Sequence, residues 1–517
     1  MKRGRGSCPY LDTVDRSVLD FDYEKVCSVT LSTSSVYACL VCGAFFRGRA
    51  VGTPAHTHSL AADHHVFLCL ATQRAYCLPD DYEIGGHALD DVRRVLDPRY
   101  SAADVAALDS ARADSVFARR VHCLAGTRDY LPGFVGLNNL ACTDAFNAVV
   151  QCLAHVPRLR DYLLRTATVS LTEAAYGHLA AGAAAVLAPG TVAGALGTLV
   201  RKMWSPYNYR AHVSPHELVH VVQRRSRGRF RIGTPMEPLA LLQWLLHELR
   251  CDLAALPSGS TSSSTSSKSE NKDKMEDKKK AKDEKEKETV IDETFQGTVE
   301  VTTTRAVSEE QPDPADPGHT IAVIHDEVTV RRVPFYYLSL DLPPMPLFKD
   351  GDGESFLPQV PIMTLLHKYD GRTEQLLPSG ERRRYQLLRL PPYLIVHIKR
   401  FTHNNWFLEK NTTIVNFPLR HLDLRSCLHP SALAAHPVTR YDLVTMLKHD
   451  GAAEDAAAAT TTASTARAST VTAYAHTGTG QWYELQDLSV RETIPDLLTV
   501  SEAYIQIYQL QSLSSPL

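Results

Sequence analysis

Four residues near the N-terminus restrict the fold of this chain more than any other feature. Cys39 and Cys42 form a CxxC pair in "YACLVCGAFFRGRAVGTPAHTHSLAADHHVFL", and His58 and His64 follow in the same stretch. A CxxC pair on a tight turn places two thiolates on one ion, and two later histidines complete a tetrahedral shell. Zn²⁺ suits this S₂N₂ set because it has no redox chemistry and accepts that geometry. His65 lies one residue past the fitting spacing, and His56 fits less well still. The competing reading, in which the cysteines are small buried hydrophobes, does not account for the paired histidines. The pattern predicts a small domain folded around one structural Zn²⁺.

At 517 residues the chain is too long for one ordinary core, so two or more domains are expected. Residues 1–105 hold 6 of the 11 cysteines and are read as the zinc-binding domain. Residues 106–130 are read as a helical connector, and residues 131–517 as a larger α+β domain. Two low-complexity stretches interrupt the larger domain. Residues 257–288 pass from serine and threonine into mixed charge, with 9 lysines and 8 acidic residues between 268 and 288. Such a segment buries too little to offset its ordering entropy and is expected to be disordered. The second, residues 451–470, is rich in Ala and Thr.

Lys and Arg number 55 against 58 Asp and Glu, a net charge of −3. This balance gives no global electrostatic reason to bind nucleic acid, so any RNA contact is expected to be local or indirect. An odd number of dispersed cysteines argues for a reducing compartment and against a disulfide scaffold. The N-terminus has no apolar core of a secretory signal. The longest weakly polar run, "LAAGAAAVLAPGTVAGALGTLV", is mostly Ala and Gly and contains Pro189. It reads as two soluble helices, not a membrane span.

"LPGFVGLNNLACTDAFNAVVQCL" resembles the cysteine box of the ubiquitin-specific proteases. In that family a cysteine sits at the start of a helix, where the dipole favours a thiolate. The helix is expected here too, because Phe146, Val149, Val150 and Leu153 recur at i, i+3, i+4 and i+7. The resemblance puts Asp144 at the nucleophile's position, where an aspartate is read as a cap for orphan N–H groups. Cys142, two residues earlier, is the candidate for a displaced nucleophile, but attack needs placement within roughly 3 Å. Family spacing from Trp482 puts the catalytic histidine at Ser469, or at its neighbour Thr470, and the third catalytic position at Gln486. His449 and His476 are offset candidates for a base and are read as exposed loop histidines. All three catalytic positions (Asp144, Ser469 and Gln486) are therefore degenerate, and no catalytic residue is expected.

"FQGTVEV", "FYYLSLDLPP", "LPPYLIVHIKRF", "TIVNFPL" and "SEAYIQIYQL" resemble the strands of the same fold, a papain-like arrangement of thumb, palm and fingers. Lys399 and Arg400 are read as supports for nearby loops. No cysteine lies between Phe295 and Phe401, so the zinc of the family's fingers cannot form, and the fingers are expected to be reduced. The N-terminal stretch resembles the zinc-finger domain that several deubiquitinases use to bind ubiquitin. Multi-zinc relatives hold further ions, but Pro54 and Arg47 replace ligands here, and Cys8, Cys27 and Cys77 are read as isolated remnants. Arg49, Tyr37 and Tyr76 fall near the family's pocket for the free ubiquitin C-terminus, so weak ubiquitin binding is one expectation.

"CPYLDTVDRSVLDFDYEKVCSV", "AHVSPHEL", "KRFTHNNWFLEKNTTIVNFP" and "GTGQWYELQDLSV" narrow the resemblance to the inactive, ubiquitin-specific-protease-like splicing factors of the spliceosomal tri-snRNP. That resemblance implies a nuclear, non-catalytic scaffold needed for tri-snRNP assembly or stability and for pre-mRNA splicing. It implies tri-snRNP proteins as partners, including the helicase that unwinds paired snRNAs. The alternatives are an active deubiquitinase using Cys142, or a ubiquitin-binding adaptor.

Overall fold

The computed structural model describes residues 8–22, 25–109, 115–124, 128–166, 190–255, 288–313, 316–344, 358–403, 408–450, 470–477 and 480–511. Nearly all of the two low-complexity stretches, and Ser469 with them, lie outside these residues.

The zinc-finger region is built on five short antiparallel strands: β1 (Val36–Cys39), β2 (Phe45–Arg47), β3 (Val66–Cys69), β4 (Ala75–Cys77) and β5 (Tyr82–Ile84), in the order β2-β1-β3-β4-β5. Side chains alternate across a strand, and both faces are covered. Val36, Ala38 and Leu68 pack with Leu19, Phe21 and Val92. Tyr37, Cys39 and Phe67 pack on the other side with Phe46 and Ala55 of helix α1 (Pro54–Ala62).

In the larger region five helices gather first: α2 (Asp144–Ala154), α3 (Pro157–Arg165), α4 (Val192–Met203), α5 (His216–Arg225) and α6 (Pro238–Ala254). The apolar period of α2 places Phe146, Val149, Val150 and Leu153 in the core at no more than 1% exposure. Every residue from Ala145 to Ala154 is buried, so α2 is the central helix of this layer. It packs on a mixed palm sheet made of β8 (Tyr337–Asp341), β9 (Tyr393–Lys399), β10 (Arg440–His449), β11 (Val471–His476), β12 (Trp482–Gln486), β13 (Ser489–Thr493) and β14 (Ala503–Leu510). Their order is β8-β9-β14-β10-β11-β12-β13, with Leu422–Asp423 added beside β10. Only β8 and β9 run parallel along this path.

The fingers carry β6 (Gly297–Asp313) and β7 (Asp316–Phe335), a hairpin of 17- and 20-residue strands that joins Arg382–Arg389 and Gln375–Leu376 in a four-stranded sheet. The expected reduction is therefore a loss of cysteine ligands, not of strand length, because β pairing needs backbone groups and not metal ligands. The connector also departs from expectation. Residues 106–130 contain the end of a helix (Ala102–Ala107), a 3₁₀ turn (Val116–Ala118) and a paired Val121–His122 and Asp129–Tyr130. Cys123 and Tyr130 anchor this short pair in the core.

The two regions share buried contacts. Tyr209 of the larger region joins the core around Leu19 and Phe21. The ammonium of Lys202 meets Asp22 at 2.8 Å, with Lys202 8% and Asp22 26% exposed. Arg210 pairs with Asp20 at 2.9 Å, and Lys25 with Glu217 at 3.6 Å.

Candidate functional site

The CxxC turn forms because the amide of Gly43 returns to the carbonyl of Cys39 at 2.9 Å. Gly43 takes φ +77°, and a Cβ there would lie 2.5 Å from the carbonyl oxygen of Val18, so only glycine fits. The Cys39 Sγ lies 3.6 Å from His64 Nδ1, the Cys42 Sγ 3.4 Å from His58 Nε2, and the two ring nitrogens are 3.1 Å apart. Zinc bonds of about 2.0–2.3 Å give tetrahedral edges of about 3.3–3.8 Å for such donors. The four side chains therefore fit the ion, and they are the one such group among the described residues. His65 is held elsewhere: its Nδ1 meets the Leu78 carbonyl at 2.7 Å and its Nε2 meets Asp63 at 2.9 Å.

Cys8 and Cys77 are not isolated from each other. The Tyr82 hydroxyl donates to Cys8 at 3.2 Å, and Cys77 interacts with both. Cys27 accepts amides from Thr30 at 3.4 Å and Arg47 at 3.1 Å. These cysteines keep hydrogen-bonded surroundings. The Arg49 guanidinium lies 4.4 Å over the Tyr76 ring and pairs with Asp81. Tyr37 is buried edge-on to Tyr76 at 6.1 Å. The Arg49 guanidinium thus already carries a carboxylate of its own chain.

At the start of α2 the arrangement is tighter. Asp144 is the first helical residue and follows Thr143, the N-cap, which makes no side-chain cap bond to the helix. The Asp144 carboxylate reaches across to the palm, where it accepts the amide of Val471 on β11 at 3.2 Å. Asp144 is thus more than the helix cap that the sequence suggests: it joins thumb to palm. Burial holds its carboxyl above the usual carboxylate range and the charge of Asp487 adds to this, while the amides of Ala145, Asp144 and Val471 pull the other way. The residue before Val471 is Thr470, so the described member of the Ser469/Thr470 pair adjoins in the chain the residue whose amide Asp144 accepts.

Gln486 ends β12 and lines a cavity of about 820 Å³ with Asn138, Asn139, His216 and Asp487. Asp487 was not legible as a site residue, although it adjoins Gln486. Its carboxylate accepts the amides of Asn147 at 2.7 Å and Asn139 at 3.0 Å. Gly136 sits against this turn, where a Cβ would come 2.8 Å from the Leu488 Cα.

Cys142 is exposed and follows Ala141, with φ +53° and +76° respectively. Neither candidate base is the exposed loop histidine expected from sequence. His449 ends β10 with its ring 4.7 Å from Phe401 and 5.7 Å from Tyr504. His476 ends β11, 5.1 Å from Trp482. Both imidazoles are pushed down by burial, which favours the neutral ring. Strand pairing ran further than the insertion boundary suggested: His449 pairs with Val471, and His476 with Trp482.

Arg400 is fully buried and donates to the carbonyls of Ala503 (2.6 Å), Asn411 (3.1 Å) and Thr413 (2.6 Å), so it supports loops as expected. Lys399 pairs with Asp341 at 2.6 Å.

A zinc-binding domain followed by thumb, palm and fingers defines a papain-like hydrolase architecture. Residues 135–508 match the ubiquitin carboxyl-terminal hydrolase family, and residues 27–89 match the zinc finger found in ubiquitin hydrolases and other proteins, a domain that binds zinc. The chain belongs to the ubiquitin carboxyl-terminal hydrolase family. It is 40% identical over 512 residues to ubiquitin carboxyl-terminal hydrolase 39 of Homo sapiens, covering 97% of this chain and 80% of that protein. It is 34% identical over 506 residues to the probable mRNA-splicing protein ubp10 of Schizosaccharomyces pombe, covering 97% and 88%. Its fold is similar to the crystal structure of an essential yeast splicing factor, with 25% identity and a TM-score of 0.66 over 98% of this chain and 100% of that one. Among the described residues no helix is long and apolar enough to cross a membrane.

Proposed function

We propose that this chain is a non-catalytic scaffold of pre-mRNA splicing that acts in the nucleus in assembly or stability of the tri-snRNP. The reading is carried by Asp144, which stands at the head of α2 with its carboxylate on the Val471 amide. A carboxylate there serves neither as an amide-cleaving nucleophile nor as a thiolate, and a Cys–His pair requires a base within hydrogen-bond reach of the thiol. Gln486 at the third position cannot hold the charge of an imidazolium. Similarity to splicing proteins over nearly the whole chain supports the biological assignment. Cys39, Cys42, His58 and His64 are the zinc ligands in this reading. Residues 1–105, the connector 106–130 and residues 131–517 are its parts. Its partners are tri-snRNP proteins, including the helicase that unwinds paired snRNAs.

Depletion in the cells that make the protein, followed by gradient analysis of snRNPs and RNA sequencing, tests this. Intact tri-snRNP should fall and unspliced transcripts should rise, with Asp144→Asn, which keeps an acceptor for the Val471 amide, rescuing both. Unchanged tri-snRNP together with accumulating ubiquitin conjugates would instead support a deubiquitinase. Labelling by a ubiquitin C-terminal electrophile that is lost in Cys142→Ala would locate its nucleophile.

A further inference from the structure

Five arginines crowd the end of α5 and the loop after it, in "RRSRGRFR". Arg224, Arg225, Arg227, Arg229 and Arg231 occupy this run, and no acidic residue lies between Glu217 and Glu237. All five side chains are exposed. The net charge of −3 conceals this patch because the balancing acids lie elsewhere in the chain.

The loop has a defined backbone. The amide of Ser226 bonds to Val222 at 2.8 Å and that of Gly228 returns to Gln223 at 2.9 Å. Arg227 and Gly228 are both left-handed, at φ +53° and +79°. Phe230 is buried at 4% exposure, and its amide bonds to the Ser226 hydroxyl at 3.2 Å. Arg229 and Arg231 therefore flank an anchored residue.

Cations at a helix C-terminus complement the macrodipole, and this accounts for part of the run. Arg224 donates to the Gly190 carbonyl at 3.2 Å, and Arg225 pairs with Glu248 at 2.8 Å and Asp252 at 3.2 Å. It does not account for Arg227, Arg229 and Arg231. They lie beyond the helix, and no carboxylate pairs with them among the described residues. A surface cavity of about 440 Å³ adjoins Arg227, lined by His220, Gln223, Arg224, Arg227 and Gly228. Its lining has no carboxylate and no aliphatic side chain.

This chemistry separates phosphate from protein. A protein interface gains most of its energy from buried aromatic and aliphatic anchors. Among the described residues no large exposed apolar side chain lies between Tyr207 and Val328 in the sequence, so the loop itself offers no anchor. Guanidinium forks match phosphate oxygens two at a time, and a sugar–phosphate backbone needs only such donors. We propose that the Arg224–Arg231 loop and its adjoining cavity bind RNA through the phosphate backbone. The splicing assignment stands whether or not this contact exists.

Fluorescence anisotropy of the full chain with an end-labelled oligouridylate of about 20 nucleotides, over roughly 50 to 200 mM salt, reads both affinity and salt slope. The triple change Arg227→Gln, Arg229→Gln and Arg231→Gln should weaken binding about tenfold at the lower salt. It should also reduce the slope by about two, as expected for three lost contacts to a single strand. Arg331→Gln with Arg332→Gln should change neither quantity, and zinc content and melting temperature report that each variant is folded. Unaltered binding in the triple variant would overturn the proposal. So would oligoglutamate competing as well as RNA, which would indicate an acidic protein partner. Full displacement by inorganic phosphate at matched charge concentration would reduce the site to one for a free anion.

Discussion

The Asp144 carboxylate and the Val471 amide, 3.2 Å apart, join the first residue of helix α2 to strand β11 of the palm. A contact between thumb and palm thus occupies the place where the family resemblance puts a nucleophile facing a base. Asn147, one turn further along the helix, donates to Asp487 from the same side of the cleft.

This contact has a pH signature. Burial, with the charge of Asp487 adding to it, raises the folded-state carboxyl of Asp144 above its ordinary value. A group raised in this way favours the folded state when protonated, and that contribution is lost as pH rises through its folded value. Asp144→Asn keeps an acceptor for Val471 and removes the buried charge. It should be at least as stable as the wild type near pH 7 and indistinguishable from it at acid pH, by thermal denaturation across the range. A variant markedly less stable at neutral pH would show that the charge itself holds the cleft together. Asp144→Cys should yield no hydrolysis of a ubiquitin fluorogenic substrate, because no base is restored.

The metal site gives a second test. Purified protein should carry about one zinc per chain, since the four donors close one tetrahedral shell. Cys39→Ser or His64→Ala should release it and lower the melting temperature, because metal binding and folding are coupled. Acid should do the same as the ligands take up protons. Two or more tightly held ions would mean that Cys8 and Cys77, or Cys27, belong to further sites.

Much of this was legible because the signals are local. A CxxC turn with two histidines fixes its ligands by spacing, and Phe146, Val149, Val150 and Leu153 fix the buried face of α2. Other relationships come from the tertiary fold. Asp144 and Val471 are distant in sequence, as are Asn147 and Asp487, and only palm–thumb packing brings them together. His449 and His476 looked like loop residues because an Ala- and Thr-rich insertion lies close by. Strand pairing continues to Val471 and carries both histidines into the sheet. The arginine loop disappeared into a nearly neutral total charge.

Ubiquitin recognition by the finger should be blocked from within. Arg49 pairs with Asp81 and stacks on Tyr76, so a free C-terminal carboxylate would have to displace Asp81. Titration calorimetry with ubiquitin should give no saturable heat for the wild type. Asp81→Asn frees the guanidinium without removing it, and a signal that emerges only in that variant would identify Asp81 as the block. Binding by the wild type that disappears in Arg49→Ala would restore the adaptor reading.

The finger and the thumb should unfold together, because Asp22 and Lys202 form an ion pair across their boundary at 2.8 Å. Burial disfavours both charges, but Lys202 holds the carboxyl of Asp22 below its ordinary value, and Asp22 and Glu217 hold the ammonium of Lys202 above its own. For the depressed carboxyl, the stabilisation is present above about pH 4 and is lost as pH falls through the folded value. Removing one partner leaves the other charge buried, a cost of about 3 kcal/mol for a pair that retains some solvent contact on one side. Lys202→Met should therefore lower the unfolding free energy by about that amount near neutral pH and by much less in acid, since protonated Asp22 no longer needs the ammonium. Hydrogen exchange should show protection falling in both Val36–Cys39 and Val192–Met203. If exchange rises in only one of these segments, the two regions are separate cooperative units and the ion pair is a local contact.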